Sequence, residues 1–250
     1  MKVRNAVQNF VFYCLFLPWT LFVSVSEIVL GYVPGARGIM RRLELAWARL
    51  AVFASRAKPE VITPKLDPGR NYVFVANHQS YLDIPLILSV FPRHFPRFLA
   101  KDSLFRIPFF GPGMRKLGHL PINRENRRKG MEGINHAVGQ AGKGESILIF
   151  PEGTRNDADG GTLQEFQIGA FLIALKSGLP VVPVIVDGTR DVLPKGSLRL
   201  RPGRATLHAF EPLETGGYSL KERERFRDEF RSLMQQRLSE IRQWKNQQTH

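Results

Sequence analysis

The chain has 250 residues, a formal net charge of +14 and one cysteine, so it cannot form an internal disulfide. Its length allows one large domain or two small ones, and we favour one large domain with an N-terminal attachment. The positive charge favours three classes of partner: nucleic acid, an anionic lipid surface or a phosphorylated substrate.

The N-terminal segment, residues 5–26, contains no charged residue and is long enough to cross a hydrocarbon core. Pro18 lies in the middle of this run and is expected to kink a helix and break a straight span. A turn is expected at residues 33–35. Beyond it, residues 41–56 alternate apolar side chains and arginines at helical spacing, which predicts a second helix with one basic face.

Three interpretations of this segment compete. One is a cleaved signal peptide, because a basic start and an apolar run are followed by small residues at 24–26. Another is a single membrane-spanning helix. We favour a bent hairpin that enters one leaflet, on the cytoplasmic face of the cell (inner) membrane, because basic residues flank both its ends. The side chains expected in hydrocarbon are Phe10, Phe12, Leu15, Phe16, Leu17, Trp19, Leu21 and Phe22, and those expected at headgroups are Arg37, Arg41, Arg42, Arg49 and Arg56.

The next element is a short apolar run, residues 72–76, which predicts a buried strand followed by a turn and a helix over 82–91. His78 lies in that turn and Asp83 lies on the first helical turn behind it. A carboxylate that holds one imidazole nitrogen leaves the other to act as a general base. The alternative is a helix-capping turn with a histidine that has only structural contacts.

Residues 91–130 contain ten Lys or Arg and two acids, which concentrates the positive charge next to this turn. No helix-turn-helix, zinc-finger or RNA-recognition pattern accompanies the charge, so nucleic acid is not an expected partner. Apolar residues among the cations, for example Phe98 and Phe105, favour a membrane-surface patch. The alternative is an ordinary solvated basic face.

Strands are predicted near 72–76, 97–100, 119–122, 146–150, 181–186 and 204–209, and helices near 82–91, 127–141, 166–177 and 219–245. The alternation predicts an α/β fold with a mixed, largely parallel sheet flanked by helices, preceded by the membrane-associated hairpin. We place the hairpin at residues 1–57 and the α/β domain at 58–250. Lys101, Arg124 and Glu152 each follow a predicted strand, where α/β sheets bind their ligands.

Four motifs, at residues 77–83, 118–124, 150–155 and 182–185, occur in an order and at separations that resemble the glycerolipid acyltransferase family. This family includes 1-acylglycerol-3-phosphate acyltransferases. The resemblance covers roughly residues 60 to 210. Its second motif departs from the family pattern, because Pro121 stands where an aromatic residue is common.

The resemblance implies acyl transfer from acyl-CoA or acyl carrier protein to a lysophosphatidate at a membrane of phospholipids, without an acyl-enzyme. Cofactors and metal ions are not expected, since the histidines lack zinc-ligand spacing, and the sequence assigns no oligomeric state. His78 and Asp83 are the implied catalytic residues. The residues expected to bind the phosphate or glycerol of the acceptor are Lys101, Arg124, Glu152, Gly153, Thr154 and Arg155.

Several alternatives stay open at this point. The acceptor could be another lysolipid or glycerol 3-phosphate, because a pair of phosphate-binding arginines suits several acceptors. Ser80 could be a nucleophile, although it lies close in sequence to His78 and no Gly-x-Ser-x-Gly turn exists. A non-catalytic basic protein that binds a membrane or nucleic acid would explain the charge and the N-terminus, but it gives no reason for His78, Asp83 or Glu152.

Overall fold

The computed structural model describes residues 2–156 and 161–248. The N-terminal segment forms the predicted hairpin, in which α1 (Lys2–Leu30) and α2 (Arg37–Ser55) are joined by a turn. Helix α1 continues through Pro18, so this residue does not end the helix, and the kink expected there stays a prediction. One face of α1 packs on the rest of the protein, whereas large apolar side chains on the other face, including Phe10 and Leu15, are exposed.

Seven strands form one sheet in the order β1-β7-β6-β2-β5-β3-β4. All neighbouring pairs are parallel except β6 and β7. The predicted mixed, largely parallel α/β fold is therefore confirmed. The strands are β1 (Ala57–Ile62), β2 (Val73–Ala76), β3 (Arg97–Lys101), β4 (Leu120–Ile122), β5 (Ile147–Ile149), β6 (Val181–Asp187) and β7 (Gly203–Ala209).

Helices cover both faces of the sheet and enclose two hydrophobic cores. One core lies under α5 (Arg127–Ala141), α6 (Gly169–Ser177) and the C-terminal helix α8 (Arg223–Gln248). The other lies under α3 (Asp83–Val90), α4 (Phe110–Leu117) and part of α2. Because Ala48 and Trp47 of α2 pack into this second core, the hairpin is joined to the sheet by apolar contact. The short helix α7 (Thr189–Val192) follows β6.

Strand β1 and the helices α4 and α7 were not predicted. Strand β1 begins with Ala57, Lys58, Pro59 and Glu60 and has no alternating pattern, yet it pairs with β7 at the edge of the sheet. Helix α4 contains two glycines and a proline, which are typical of a loop. Strand or helix formation there depends on tertiary contacts.

The basic stretch at residues 91–130 is only partly a surface. Phe98 and Phe105 are buried in the second core, so their assignment to a membrane patch is wrong. Arg97 is also buried, with 2% of its surface exposed. The apolar residues of this stretch that do face outward include Ile107 and Phe109.

Candidate active site

The turn after β2 places His78 and Asp83 in direct contact. Nδ1 of His78 lies 2.7 Å from Oδ2 of Asp83, and the carboxylate is fully buried while 11% of the imidazole is exposed. Asp83 is the first residue of α3, where the partial positive charge of the helix N-terminus favours an anion. The fold therefore brings the two residues of the first motif together at the carboxyl edge of the sheet.

The carboxylate of Asp83 accepts hydrogen bonds on both oxygens. Oδ2 accepts from the backbone N–H groups of Gln79 at 2.6 Å and Ser80 at 2.8 Å, and Oδ1 accepts from the hydroxyl of Thr189 at 2.5 Å. An ionised carboxylate can only accept, so the proton shared with His78 belongs to Nδ1. Nε2 then carries a lone pair and has no hydrogen-bond partner among the described residues. This nitrogen can accept a proton from a substrate.

The segment of residues 150–156 holds His78 from two sides. The imidazole stacks on the ring of Phe150, with ring centroids 4.1 Å apart. The backbone N–H of His78 donates to Oε1 of Glu152 at 2.8 Å, and its carbonyl accepts from the N–H of Asn156 at 2.7 Å. These contacts fix both the backbone and the ring plane of the histidine.

Glu152 is buried, and its contacts are internal. Oε2 accepts from the N–H of Gln164 at 3.1 Å and from the side-chain amide of Asn156 at 3.2 Å, in addition to the bond that Oε1 accepts from His78. Burial raises the pKa of Glu152, and the hydrogen bonds from His78, Gln164 and Asn156 oppose that rise. The carboxylate therefore holds the loop to the histidine, and the contact with the acceptor assigned to it from sequence stays a prediction.

Ser80, the alternative nucleophile, is fully buried. Its hydroxyl donates to the carbonyl of Leu193 at 2.7 Å and accepts from the N–H of Leu82 at 3.3 Å. A hydroxyl that solvent cannot reach and that fixes the turn is not placed to attack a substrate. The geometry therefore favours a reaction without a covalent intermediate on Ser80, in which His78 acts as the base.

Thr189 is a contact of the site that sequence reasoning missed. It lies 106 residues from Asp83, on the short helix after β6, and no local pattern connects the two residues. The loop before it is anchored by Asp187, which pairs with Lys245 at 2.6 Å and Arg242 at 3.0 Å. Burial by itself would raise the pKa of Asp187, but these two cations of α8 hold it below its usual value.

Two of the predicted cations lie at this edge, since Arg124 follows β4 and Lys101 is the last residue of β3. The guanidinium of Arg124 donates to the carbonyl of Gly153, whose φ of 69° lies in the left-handed region that favours glycine. Nζ of Lys101 lies 3.1 Å from a carboxylate oxygen of Glu125, and both side chains are largely exposed. Because Arg124 contacts Gly153, the second and third motifs are in direct contact.

Arg155 is joined to the first motif through an aromatic ring. Its guanidinium lies over the ring of Tyr81, 3.7 Å from the ring centroid. Its Nη1 atom is buried and has no hydrogen-bond partner among the described residues. A buried N–H group without an acceptor is costly, and an anionic ligand would relieve that cost. Thr154, beside it, is exposed.

Comparison with known proteins identifies the family to which the chain is similar. A family model described as Acyltransferase matches residues 54–187, which include all four motifs. The chain is 39% identical over 178 residues to a chloroplastic 1-acyl-sn-glycerol-3-phosphate acyltransferase of Arabidopsis thaliana, covering 71% of this chain and 49% of that protein. It is 32% identical over 172 residues to the 1-acyl-sn-glycerol-3-phosphate acyltransferase of Escherichia coli strain K12, covering 68% of each chain.

A solved structure extends the similarity to almost the whole chain. The crystal structure of the 1-acyl-sn-glycerophosphate acyltransferase PlsC from Thermotoga maritima superposes with a TM-score of 0.76 at 28% identity, covering 96% of this chain and 97% of that one. The sequence matches to curated relatives are shorter, and the aligned region spans 35% to 68% of the relatives' own length.

Proposed function

The chain belongs to the acyltransferase family, and we propose that it moves a fatty acyl chain from a thioester to the sn-2 hydroxyl of 1-acyl-sn-glycerol-3-phosphate. The product would be phosphatidic acid, an intermediate of phospholipid synthesis. One observation carries the proposal. His78 is held by Asp83 with Nε2 unoccupied, and the loop that clasps it also contacts Arg124 and carries Arg155. Relatives that are 39% and 32% identical to the chain over their aligned regions are named 1-acyl-sn-glycerol-3-phosphate acyltransferase.

In the proposed reaction, the oxygen of the acceptor hydroxyl attacks the thioester carbonyl while Nε2 of His78 removes the hydroxyl proton. A C–O bond forms, the C–S bond then breaks, and the thiolate leaves and takes the proton from the imidazolium. Asp83 stabilises the imidazolium between these steps and keeps the proton on Nδ1. Because Ser80 is buried, the acyl group passes directly to the acceptor.

The acceptor's phosphate fits the cations at the same edge of the sheet. The buried and unpartnered Nη1 of Arg155 supports its assignment as a phosphate donor, because the planar guanidinium forms charge-assisted hydrogen bonds with phosphate oxygens. Arg124 donates to the carbonyl of Gly153, which is two residues before Arg155 in the chain. A phosphate held by Arg155 would therefore lie near Arg124. Lys101 is the third cation of the proposed site, and Thr154 offers an exposed hydroxyl.

We propose that α1 attaches the enzyme to one leaflet at the cytoplasmic face of the membrane. Helix Val7–Leu30 is long and apolar enough to cross a bilayer. Both of its ends, however, contact the folded body: Asn9 bonds to Leu200, and Gly31 packs against Lys116. A helix that lies along the protein in this way supports attachment within a leaflet more than a crossing.

The test is a panel of acceptors and donors on the purified full chain. Acceptors are lysophosphatidate, other lysolipids and glycerol 3-phosphate, and donors are acyl-CoA and acyl carrier protein, with free thiol as the readout. Lysophosphatidate should give the highest kcat/KM. A preference for another acceptor would replace the proposed substrate but keep the chemistry.

The matched variants for the chemistry are His78→Ala and His136→Ala, since His136 is an exposed histidine on α5. Only the first should abolish transfer, and its thermal unfolding should stay cooperative. Full activity of a folded His78→Ala protein would disprove the mechanism. If no donor and acceptor pair reacts and the protein binds duplex DNA tightly at physiological salt, the non-catalytic alternative is correct.

A further inference from the structure

A second cluster of cations lies at the turn between α1 and α2. This turn faces the beginning of β3 and the end of α4, and the surfaces between them enclose a cleft of about 260 Å³. Four cations line the cleft: Arg37, Arg41, Arg97 and Lys116. No Asp or Glu lines it in the described parts of the chain.

The cations of this elbow cleft exceed their anionic partners. Arg37, Arg41 and Arg97 all pair with the same carboxylate, that of Glu145, with Nε of Arg97 at 3.2 Å and a guanidinium nitrogen of Arg41 at 3.6 Å. Lys116 has no salt bridge in the described chain, and its Nζ lies 3.4 Å from the centroid of the Tyr32 ring. Three guanidinium groups therefore share the carboxylate of Glu145, while Glu44 and Glu27 also act on Arg97 without a salt bridge to it.

Arg97 shows that the site is built into the fold. Its side chain is 2% exposed, and Nη1 has no hydrogen-bond partner among the described residues. Nε of Arg41 is also buried and has no hydrogen-bond partner there. Burial lowers the pKa of Arg97 to about 10, while the charge of Glu44 and, more weakly, that of Glu27 opposes this, so it stays protonated at neutral pH. Buried, charged and unpaired donors are costly unless an anion accepts from them.

This cleft is distinct from the candidate active site. Arg97 begins β3 and is level with Ile147 of β5, which is level with Val73 at the start of β2. His78 follows the opposite end of β2. Because β2, β5 and β3 are parallel, the elbow cleft lies at the amino edge of the sheet and the active site at the carboxyl edge. A phosphate bound by Arg155 cannot occupy both places.

The surroundings of the cleft indicate where its anion comes from. Tyr32 and Val33 of the turn are 75% and 51% exposed, and the exposed apolar face of α1 leads up to them. An anionic phospholipid has apolar acyl chains beside a negatively charged headgroup, so it complements an apolar surface that lies next to a cationic cleft. A volume of about 260 Å³ is small for a cofactor but sufficient for a headgroup.

We propose that the elbow cleft binds the phosphate group of an anionic membrane phospholipid, at a site separate from the catalytic centre. The phosphate would accept from Arg97, Arg41 and Lys116, and so join the hairpin turn to the sheet. Lipid binding there would fix the angle between α1 and the body while the apolar face of α1 lies in the leaflet. The proposal does not depend on which acceptor is acylated.

The test measures binding, without turnover, on the full chain in a neutral detergent. Short-chain phosphatidylglycerol, short-chain phosphatidylcholine and inorganic phosphate are titrated separately, and the thermal unfolding midpoint gives the apparent affinity. The cleft variant is Arg41→Gln with Lys116→Gln. The control is Arg128→Gln with Lys221→Gln, which removes the same charge from two exposed positions outside the cleft.

Phosphatidylglycerol should raise the midpoint of the wild type and of the control equally, and it should bind the cleft variant about tenfold more weakly or worse. If inorganic phosphate acts at the same concentrations as the lipid, the cleft takes a free phosphate rather than a headgroup. Equal weakening in both variants, or none in either, would refute the site. Should the double variant not fold, Lys116→Gln alone decides the question in the same way.

Discussion

The replacement Asp83→Asn separates two roles of the carboxylate, its charge and its control of the histidine tautomer. Two backbone N–H groups, from Gln79 at 2.6 Å and Ser80 at 2.8 Å, point at Oδ2. An amide NH₂ placed there would face these two donors, so the new asparagine must turn its oxygen toward them. Its NH₂ group then faces the hydroxyl of Thr189, which can rotate to accept. The fold therefore keeps an acceptor opposite Nδ1 of His78.

This geometry sets the size of the expected loss. An inverted tautomer costs a triad enzyme about 10⁴ in kcat, but here the tautomer is retained. What disappears is the charge that stabilises the imidazolium, and a hydrogen bond to a charged group contributes about 1.5–3 kcal/mol. We therefore expect kcat/KM to fall by a factor of about 10 to 150. Asp83→Ala should differ by also lowering thermal stability, since it leaves the buried donors without an acceptor.

The assay follows free thiol released from the acyl thioester under conditions that give kcat/KM, with thermal unfolding as a control for the fold. An Asp83→Asn protein that unfolds like the wild type and keeps its full kcat/KM would refute the electrostatic role. A loss of about 10⁴ or more would refute the argument about amide orientation, because it would mean that the tautomer has inverted.

Four other outcomes follow from the contacts of the site. Thr189→Val should lower kcat/KM about tenfold, because the buried carboxylate of Asp83 loses a donor that fixes its position, whereas Thr189→Ser should restore the wild-type value. Burial raises the pKa of Glu152 in the folded protein above its value in the unfolded chain. The protonated side chain therefore contributes stability that is complete at pH values below the unfolded pKa and is lost as pH rises through the folded pKa. The difference in thermal unfolding midpoint between the wild type and Glu152→Gln should fall over that pH range. Arg155→Ala should raise KM for a phosphorylated acceptor about tenfold or more with kcat less affected, and an unchanged KM, or the same rise in Arg128→Ala, would contradict the phosphate assignment. The replacement Phe10→Asp changes the exposed face of α1 and should let high salt release the protein from membranes that retain the wild type. Release of the wild type by high salt would contradict the proposal that α1 is embedded in the membrane.

The elements that determine the site were predictable because their signals are local. Short apolar runs predicted six of the seven strands, and β1 was missed because it lies at the sheet edge and carries Lys58 and Glu60. Since parallel strands end at one edge, placing His78, Lys101 and Glu152 after strands was enough to predict that they share an edge. Helix α5, predicted at 127–141, begins at Arg127 and ends at Ala141.

The contacts that complete the site were not predictable from the sequence, because they join distant parts of the chain. Thr189 reaches Asp83 across 106 residues, and nothing in its neighbourhood marks it as different from any other threonine. Arg37 and Arg41 were assigned to headgroups, and both also pair with Glu145 of the folded body. A basic helix carries no local signal that would have predicted this contact with a distant carboxylate.

The apolar segment of α1 shows a different limit. It is apolar on all sides, so its sequence does not show which face is buried. Phe12 was expected in hydrocarbon, but it is 6% exposed, whereas Phe10 is 70% exposed. The composition predicted a membrane helix, and the packing of the body determines which face of α1 stays exposed.

The buried face of α1 also connects the proposed membrane attachment to the candidate active site. Phe12 packs in one cluster with Leu82, which precedes Asp83 of the candidate active site, and with Val192 of α7, the helix that begins with Thr189. At its other end α1 leads into the elbow cleft at the amino edge of the sheet. One helix of 29 residues therefore contacts both edges, and under the proposed attachment a leaflet that holds its outer face would also set the orientation of the site. A lysophosphatidate whose acyl chain stays in that leaflet would then need to lift only its glycerol hydroxyl and phosphate to reach His78 and Arg155.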